Sequence, residues 1–374
     1  MMRFITSLNI AASQVSVTSA LLLSSVLLAF PGYASTDDSR EVSQAQQVIP
    51  GVTLEFPKDH GPHLQQSIEW WYLTANLTSN SGKRFGLQWT LFRTHAKQAQ
   101  IQSPWWNDQL YFAHFALEDD NGHIAFERFA RAEQAQIRAF PFLAQIDHWS
   151  LKSLQQDFLP LQLQVSESDY QVNLMLDNSP RVLHGEQGFS QKTTDGHASY
   201  YYSYPLLEAQ GSLTFKGEGY QVSGSAWYDR EWSSGLLDDR YNGWEWFSIQ
   251  RSAPASGALM VFCLRGSDNS YRYCSGSDIS TSGEVQHLDH KIISLTANQF
   301  TTLDNKQYPT QWQLSIKATD NSPEQQLTIQ SVNHDSRNKL TILYWEGRIR
   351  VSGQYADDNS TEFNGIGYVE LTGY

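Results

Sequence analysis

Only two of the 374 residues are cysteine, Cys263 and Cys274, and neither stands near the N-terminal apolar run. That excludes lipoprotein processing there, and without neighbouring His the pair leaves a zinc ion short of ligands. Basic residues are also scarce: 26 Lys and Arg stand against 39 Asp and Glu, a net charge of −13, with no basic stripe. Nucleic acid and anionic membrane surfaces are therefore excluded as expected partners. There is no Gly-rich phosphate loop and no Gly-x-Ser-x-Gly elbow, which argues against an α/β-hydrolase. Nothing in the residues calls for a cofactor or a metal. The one long apolar run, "VTSALLLSSVLLAF", is shorter than the ~20 residues a spanning helix needs. With Arg3 before it and "PGYAS" after it, the run reads as an export signal over residues 1–34. The expected product is a soluble protein of the periplasm or another extracytoplasmic space, not an integral membrane protein.

The rest of the chain is dominated by period two. Residues 35–50 are polar and aperiodic and read as a flexible leader. Beyond them, runs such as "RFGLQWTLFR", "LYFAHFALED", "YQVNLMLD" and "QWQLSIKA" alternate apolar and polar residues between Gly, Asn, Asp and Ser clusters. The expected class is all-β, built as sandwich or barrel, with few short helices. "FERFARAEQAQIRAF" from Phe126 has apolar spacing that permits one short helix. A weak repeat links "EWWYLTANLTSNSGKRFGLQWTLFR" from Glu69 to "EWFSIQRSAPASGALMVFCLR" from Glu245. Two copies of one unit are expected, over residues 51–235 and 236–374, with Ser233 to Gly243 at the boundary. In "FCLRGSDNSYRYC" the turn residues lie midway between the cysteines, so a hairpin sets Cys263 opposite Cys274. In an oxidising compartment that pair is expected to close as a disulfide, the alternative being two buried thiols.

Aromatic residues make up 13% of the chain, with 12 Trp. Each large ring removes ~150–250 Å² from water, so core packing accounts for most of them. The informative feature is the polar group beside the rings. In "SIEWWYL", alternation puts Glu69 and Trp71 on one face and Trp70 and Tyr72 on the other. If Trp71 points inward, Glu69 goes in with it and needs a partner, for which Arg93, His63 and His114 are candidates. In "AWYDREW", Trp227, Asp229 and Glu231 share one face, and Tyr228, Arg230 and Trp232 the other. A carboxyl beside Trp can be a general acid with a raised pKa, or half of a buried ion pair. His60, His63, His114 and Glu69 do not have metal-ligand spacing.

"DHGPHLQQSIEWWYLTANL", "LHGEQGFSQKTTDGHASYYYSYP", "GSAWYDREWSSGLL", "GWEWFSIQ", "YWEGRIRVSG" and "GYVELTGY" together resemble the CrtC/AttH-like family. That family includes carotenoid 1,2-hydratases and exported proteins called "predicted secreted hydrolase". The resemblance implies two tandem lipocalin-like antiparallel β-barrels and an envelope context beside ABC-transporter permeases. The hydratases have a His-x-Trp pair before a Pro and a downstream Tyr-x-Asp pair. Here the first reads "YYYSYP", with Tyr201, Tyr202 and Tyr204, and the second is matched by Trp227 and Asp229. The catalytic candidates are thus Asp229 as proton donor, with Trp227 and Tyr202 beside it. Glu69, Trp71, His63 and His114 are candidate ligand-binding residues, as are Tyr201, Trp244 and Trp246. The leading expectation is a protein that binds or transfers a lipophilic small molecule, with an ABC permease as partner. The alternatives are a hydratase or hydrolase acting on an isoprenoid- or lipid-like substrate through Asp229, and an assembly protein with a filled core.

Overall fold

The computed structural model describes residues 45–96, 107–131, 133–235, 240–320, 322–356 and 361–374. The expected export signal, residues 1–34, and most of the expected leader lie outside these residues. The end of the leader is tied down rather than free. The Gln46 N–H donates to the Gln65 carbonyl at 3.0 Å, and the Tyr200 hydroxyl donates to the Ile49 carbonyl at 3.0 Å.

The first half of the chain forms β1 (Ile68–Ser79), β2 (Arg84–His95), β3 (Gln109–Asp119), β4 (Gly122–Arg131) and β5 (Ala135–Ala139). Next come β6 (Phe142–Ile146), β7 (Trp149–Ser153), β8 (Leu161–Glu167) and β9 (Tyr170–Asp177). Two short strands, β10 (Val182–Leu183) and β11 (Phe189–Gln191), precede the long hairpin of β12 (Ala198–Phe215) and β13 (Glu218–Ser233). All pair antiparallel in the order β4-β3-β2-β1-β13-β12-β9-β8-β7-β6-β5, with β10 and β11 added on β12. The sheet curls until its ends meet through side chains, with Phe115 of β3 on Trp149 of β7 and Phe126 of β4 on Tyr170 of β9.

The second half repeats the plan. Its strands begin with β14 (Tyr241–Arg251), β15 (Ala258–Gly266), β16 (Tyr271–Ile279), β17 (Val285–Leu288) and β18 (Ile293–Leu303). They continue with β19 (Lys306–Ile316), β20 (Gln325–Ser331), β21 (Arg337–Lys339), β22 (Leu343–Tyr355) and β23 (Glu362–Leu371). The order is β17-β16-β15-β14-β23-β22-β20-β19-β18, with β21 on β22. The molecule is therefore a tandem of lipocalin-like antiparallel barrels. Among the described residues the one helical element is a 3₁₀ turn at Lys58–His60. No helix among them is long and apolar enough to cross a membrane.

The helix expected from Phe126 is not formed. Residues 122–131 pair along their whole length with β3, and 135–139 pair with β6. Backbone pairing with an adjacent hydrophobic strand outweighs a local helical spacing that has no apolar groove to lie in. In β4, Phe126 and Ala130 turn toward the core while Phe129 is left exposed.

Each barrel has its own apolar interior. A third cluster, including Tyr72, Tyr201, Trp227, Trp246, Met260 and Phe262, lies where the outer faces of the two sheets meet. That contact is also heavily hydrogen-bonded. Glu118 accepts from Arg348 Nε at 2.9 Å, from Asn333 at 2.9 Å and from Ser336 at 2.8 Å. The Tyr344 hydroxyl lies 2.9 Å from His114 Nδ1 and accepts from Gln88 at 3.2 Å. The approach is close enough that a Cβ at Gly86 would fall on the Tyr368 hydroxyl and 2.8 Å from Arg348 Cδ.

The repeat is visible inside the barrels. Glu69 of β1 faces Arg93 of β2, Oε1 to Nε 2.6 Å, and Glu245 of β14 has Arg265 of β15 at 3.7 Å. Cys263 and Cys274 sit directly opposite each other on β15 and β16, with Cα atoms 4.1 Å apart, and are joined as a disulfide.

Candidate functional site

Strand alternation builds the site on the outer face of the first barrel. Along β13, Tyr228, Arg230 and Trp232 turn into the barrel, while Trp227, Asp229 and Glu231 turn out. The register sets Asp229 between Tyr72 of β1 and Ser203 of β12, and Glu231 between Trp70 and Tyr201. The second barrel covers this row with Trp244 and Trp246 of β14, Phe262 of β15 and Glu370 of β23. Lys192, His197 and Ser199 close one side. Between the sheets remains a cavity of about 100 Å³, lined mainly by aromatic carbon and edged by carboxyl groups.

Asp229 is buried, and its hydrogen-bond partners are neutral. Trp227 Nε1 donates to Oδ1 at 2.6 Å, and the Ser203 hydroxyl donates to the same oxygen. Burial pushes its pKa from 3.8 up to about 7, only partly offset by the Ser203, Trp227 and Tyr201 hydroxyl and indole donors. Glu370 behaves alike. Burial raises it to about 7 despite the Trp244 indole, which donates to Oε1 at 2.7 Å. Glu231 has a cation beside it: Lys192 Nζ lies 2.9 Å from its Oε1. The same ammonium sits over the rings of Tyr201 and Phe262, 4.7 and 4.9 Å from their centroids. Trp246 Nε1 donates to the Tyr201 hydroxyl at 3.2 Å. The cavity thus joins two carboxyls able to carry a proton near neutrality with aromatic faces able to stabilise a cation.

Of the residues singled out from sequence, Asp229, Tyr201, Trp244 and Trp246 line this cavity, and Trp227 braces Asp229 from behind. Tyr202 does not reach it. Its side chain points into the first barrel, 2.7 Å from His60 Nδ1, because it is one residue out of phase with Tyr201 and Ser203. Glu69, Trp71 and His63 also belong to that interior. Glu69 is bound by Arg93 and Arg230 and accepts from the His63 N–H at 3.0 Å. The Trp71 indole donates to the His60 carbonyl at 3.0 Å, and its face carries the Arg230 guanidinium at 3.9 Å. His63 stacks on Trp232 at 3.9 Å. His114 is on the outer face, bonded to Tyr344 rather than to Glu69 or the cavity.

Sequence reasoning missed Glu370 and Lys192 on the cavity wall and Ser203 as a donor to Asp229. Alternation could have placed Glu370 on one face of "GYVEL", but nothing local shows that this face is covered. Among the described residues no group of His, Cys, Asp and Glu converges as a metal-ligand set.

Residues 47–374 match the family model described as AttH-like. The crystal structure of a candidate AttH protein from Nitrosomonas europaea matches with a TM-score of 0.76 at 31% identity, covering 88% of this chain and 99% of that one. Kievitone hydratase from Nectria haematococca matches with a TM-score of 0.65 at 15% identity, covering 88% and 96%. CghA with Sch210972 matches with a TM-score of 0.54 at 9% identity, covering 82% and 88%. At these lower identities the likeness is one of fold. No curated protein matches the chain.

Proposed function

The chain belongs to the AttH-like family, and we propose that it is an exported hydratase acting on a lipophilic alkene, isoprenoid- or lipid-like, in the cavity between its barrels. The observation that carries this reading is Asp229: a buried carboxyl on an aromatic cavity wall, hydrogen-bonded to neutral donors and raised to about 7. Such a group holds a proton at neutral pH and can give it to carbon. Oδ1 already accepts from Trp227 and Ser203, so Oδ2 is the oxygen that carries the acidic proton.

In the reaction, the alkene π pair forms a C–H bond with that proton and leaves Asp229 as carboxylate. The positive charge on the neighbouring carbon is stabilised by the faces of Trp70, Trp246 and the other cavity rings. Water then forms the C–O bond, and its surplus proton returns to Asp229. The sum is addition of one water, with the carboxyl regenerated. A protein of the same fold that is named a hydratase supports the reading. A carrier working with a membrane permease would need apolar walls but no carboxyls tuned toward neutrality, so the cavity favours chemistry over carriage.

The test is turnover of an unsaturated isoprenoid and lipid panel in heavy-oxygen water, read by mass spectrometry. Asp229→Asn should lose at least about 100-fold in rate while still melting as a folded protein. Unchanged turnover in that variant would sink the reading. Saturable quenching of Trp fluorescence without any turnover would return the protein to the carriers.

A further inference from the structure

Behind Asp229, away from the cavity, stands a histidine that the proposed reaction does not touch. His184 comes directly after β10, which pairs with β12 through Val182 and Ser203, and its own N–H donates to the Tyr201 carbonyl at 3.1 Å. The next residue, Gly185, has φ 65, and a Cβ there would collide with the Phe189 carbonyl, so the turn holds the imidazole in one place. The ring is fully buried, stacked on Tyr201 at 4.1 Å. Its Nε2 lies 2.6 Å from Ser203 Oγ and its Nδ1 lies 2.9 Å from Ser277 Oγ, the latter on β16 of the other barrel.

The donor directions in this chain of groups are determined by elimination. Ser203 has one hydroxyl proton, and it is given to Asp229 Oδ1. Toward His184, Ser203 must therefore accept, which puts the ring proton on Nε2. Nδ1 is then a lone pair and takes the hydroxyl proton of Ser277. Burial, with Lys192 and His287 nearby, holds the imidazole well below its ordinary pKa and so neutral, as this single tautomer requires.

We infer that His184 is a positioning residue for Asp229: its Nε2–H fixes the Ser203 hydroxyl as a donor to Oδ1, so that the acidic proton is kept on Oδ2. The inference rests on Asp229 being the acid of the reaction. It adds that the acid is set from both barrels, because the tautomer of His184 is locked by Ser277 across the interface. A donor to Oδ1 favours the carboxylate, and weakening it should raise the Asp229 pKa further. Each group strengthens the next by polarisation along the series.

The experiment is titration of the Asp229 carboxyl in the full chain by isotope-edited infrared spectroscopy, with Asp229→Asn identifying the band. It needs no substrate. The wild-type midpoint should lie near 7. His184→Phe and Ser277→Ala should each raise it, the former by about one unit, and His184→Gln, whose amide N–H can replace Nε2–H, should recover part of the shift. Ser277→Ala keeps the imidazole in place and serves if His184→Phe does not fold. A wild-type midpoint near 3.8 would overturn the acid role of Asp229 itself. A midpoint near 7 that neither His184→Phe nor Ser277→Ala moves would leave the acid standing and overturn the role of His184.

Discussion

Two faces of the same strand treat a buried carboxyl in opposite ways. Inside the first barrel, Arg230 of β13 reaches Glu69 together with Arg93. Burial alone would raise Glu69, but Arg230, His63 and Arg93 outweigh it and hold the group at about 2, fully charged. One residue earlier on the same strand, Asp229 faces the cavity with serine and tryptophan as its donors, and burial wins. Glu245, the repeat counterpart of Glu69, lies between these extremes. It accepts from the Tyr271 hydroxyl at 2.6 Å, the Trp312 indole at 2.7 Å and the Tyr374 hydroxyl, with Arg265 only at 3.7 Å. Its pKa is raised by burial in spite of them. What decides the state is therefore the partner and not the depth. Cations in contact keep a buried carboxyl ionised, whereas neutral donors leave it able to bind a proton.

The largest effect expected from breaking this contrast comes from Arg230→Met. It leaves Glu69 with Arg93 as its one paired arginine and removes a buried charge-assisted contact, and should cost about 3–5 kcal/mol in urea denaturation. A loss under about 1 kcal/mol would mean that Arg93 alone suffices. Adding Glu69→Gln to that variant should cost more again, because Arg93 is then left buried without a counter-charge.

The dependence of stability on pH separates the two kinds of site. Glu69 and Glu118 are both depressed from 4.5 to about 2, so their contribution is full above pH 4.5 and is lost as pH falls toward 2. Asp229 and Glu370 are raised from 3.8 and 4.5 to about 7. Their contribution is full below pH 3.8–4.5 and is lost as pH rises through about 7. Urea midpoints should therefore peak in mildly acidic buffer and fall on both sides. Asp229→Asn should flatten the fall that runs from pH 3.8 to about 7 and leave the acid limb untouched. An unchanged fall over that window would remove Asp229 from it.

The smallest effect sharpens the contrast from the other barrel. Glu245→Gln keeps a hydrogen-bonding group among Tyr271, Trp312 and Tyr374 and should change stability by no more than about 1 kcal/mol. The matching Glu69→Gln should cost clearly more, since it strands two arginines. Equal losses in paired urea titrations would show that the two barrels hold their acids in the same way.

Much of this arrangement was legible in residue order. "EWWYL" and "AWYDREW" alternate strictly, so the division of Trp70 and Tyr72 from Glu69 and Trp71, and of Asp229 from Arg230, comes from the pleat. The hairpin that opposes Cys263 and Cys274 comes from the turn residues between them. Other features were not legible. Tyr202 and Ser203 both stand before Pro205, and only the register with β13 shows that Ser203 is the neighbour of Asp229. His184 and Ser277 are 93 positions apart and meet only because the barrels dock. The helical spacing from Phe126 misled, because local periodicity says nothing about the strand waiting beside it.

By itself the sequence determined an all-β chain in two similar halves, and which side chains share each face of each strand. Period two does this because the pleat leaves no other choice once a segment is extended. Which of two faces would be buried, and against what, was decided by tertiary structure alone. Docking of the second sheet turns the outer face of the first barrel from a solvent surface into a cavity wall, and removal of water there is what raises Asp229 and Glu370.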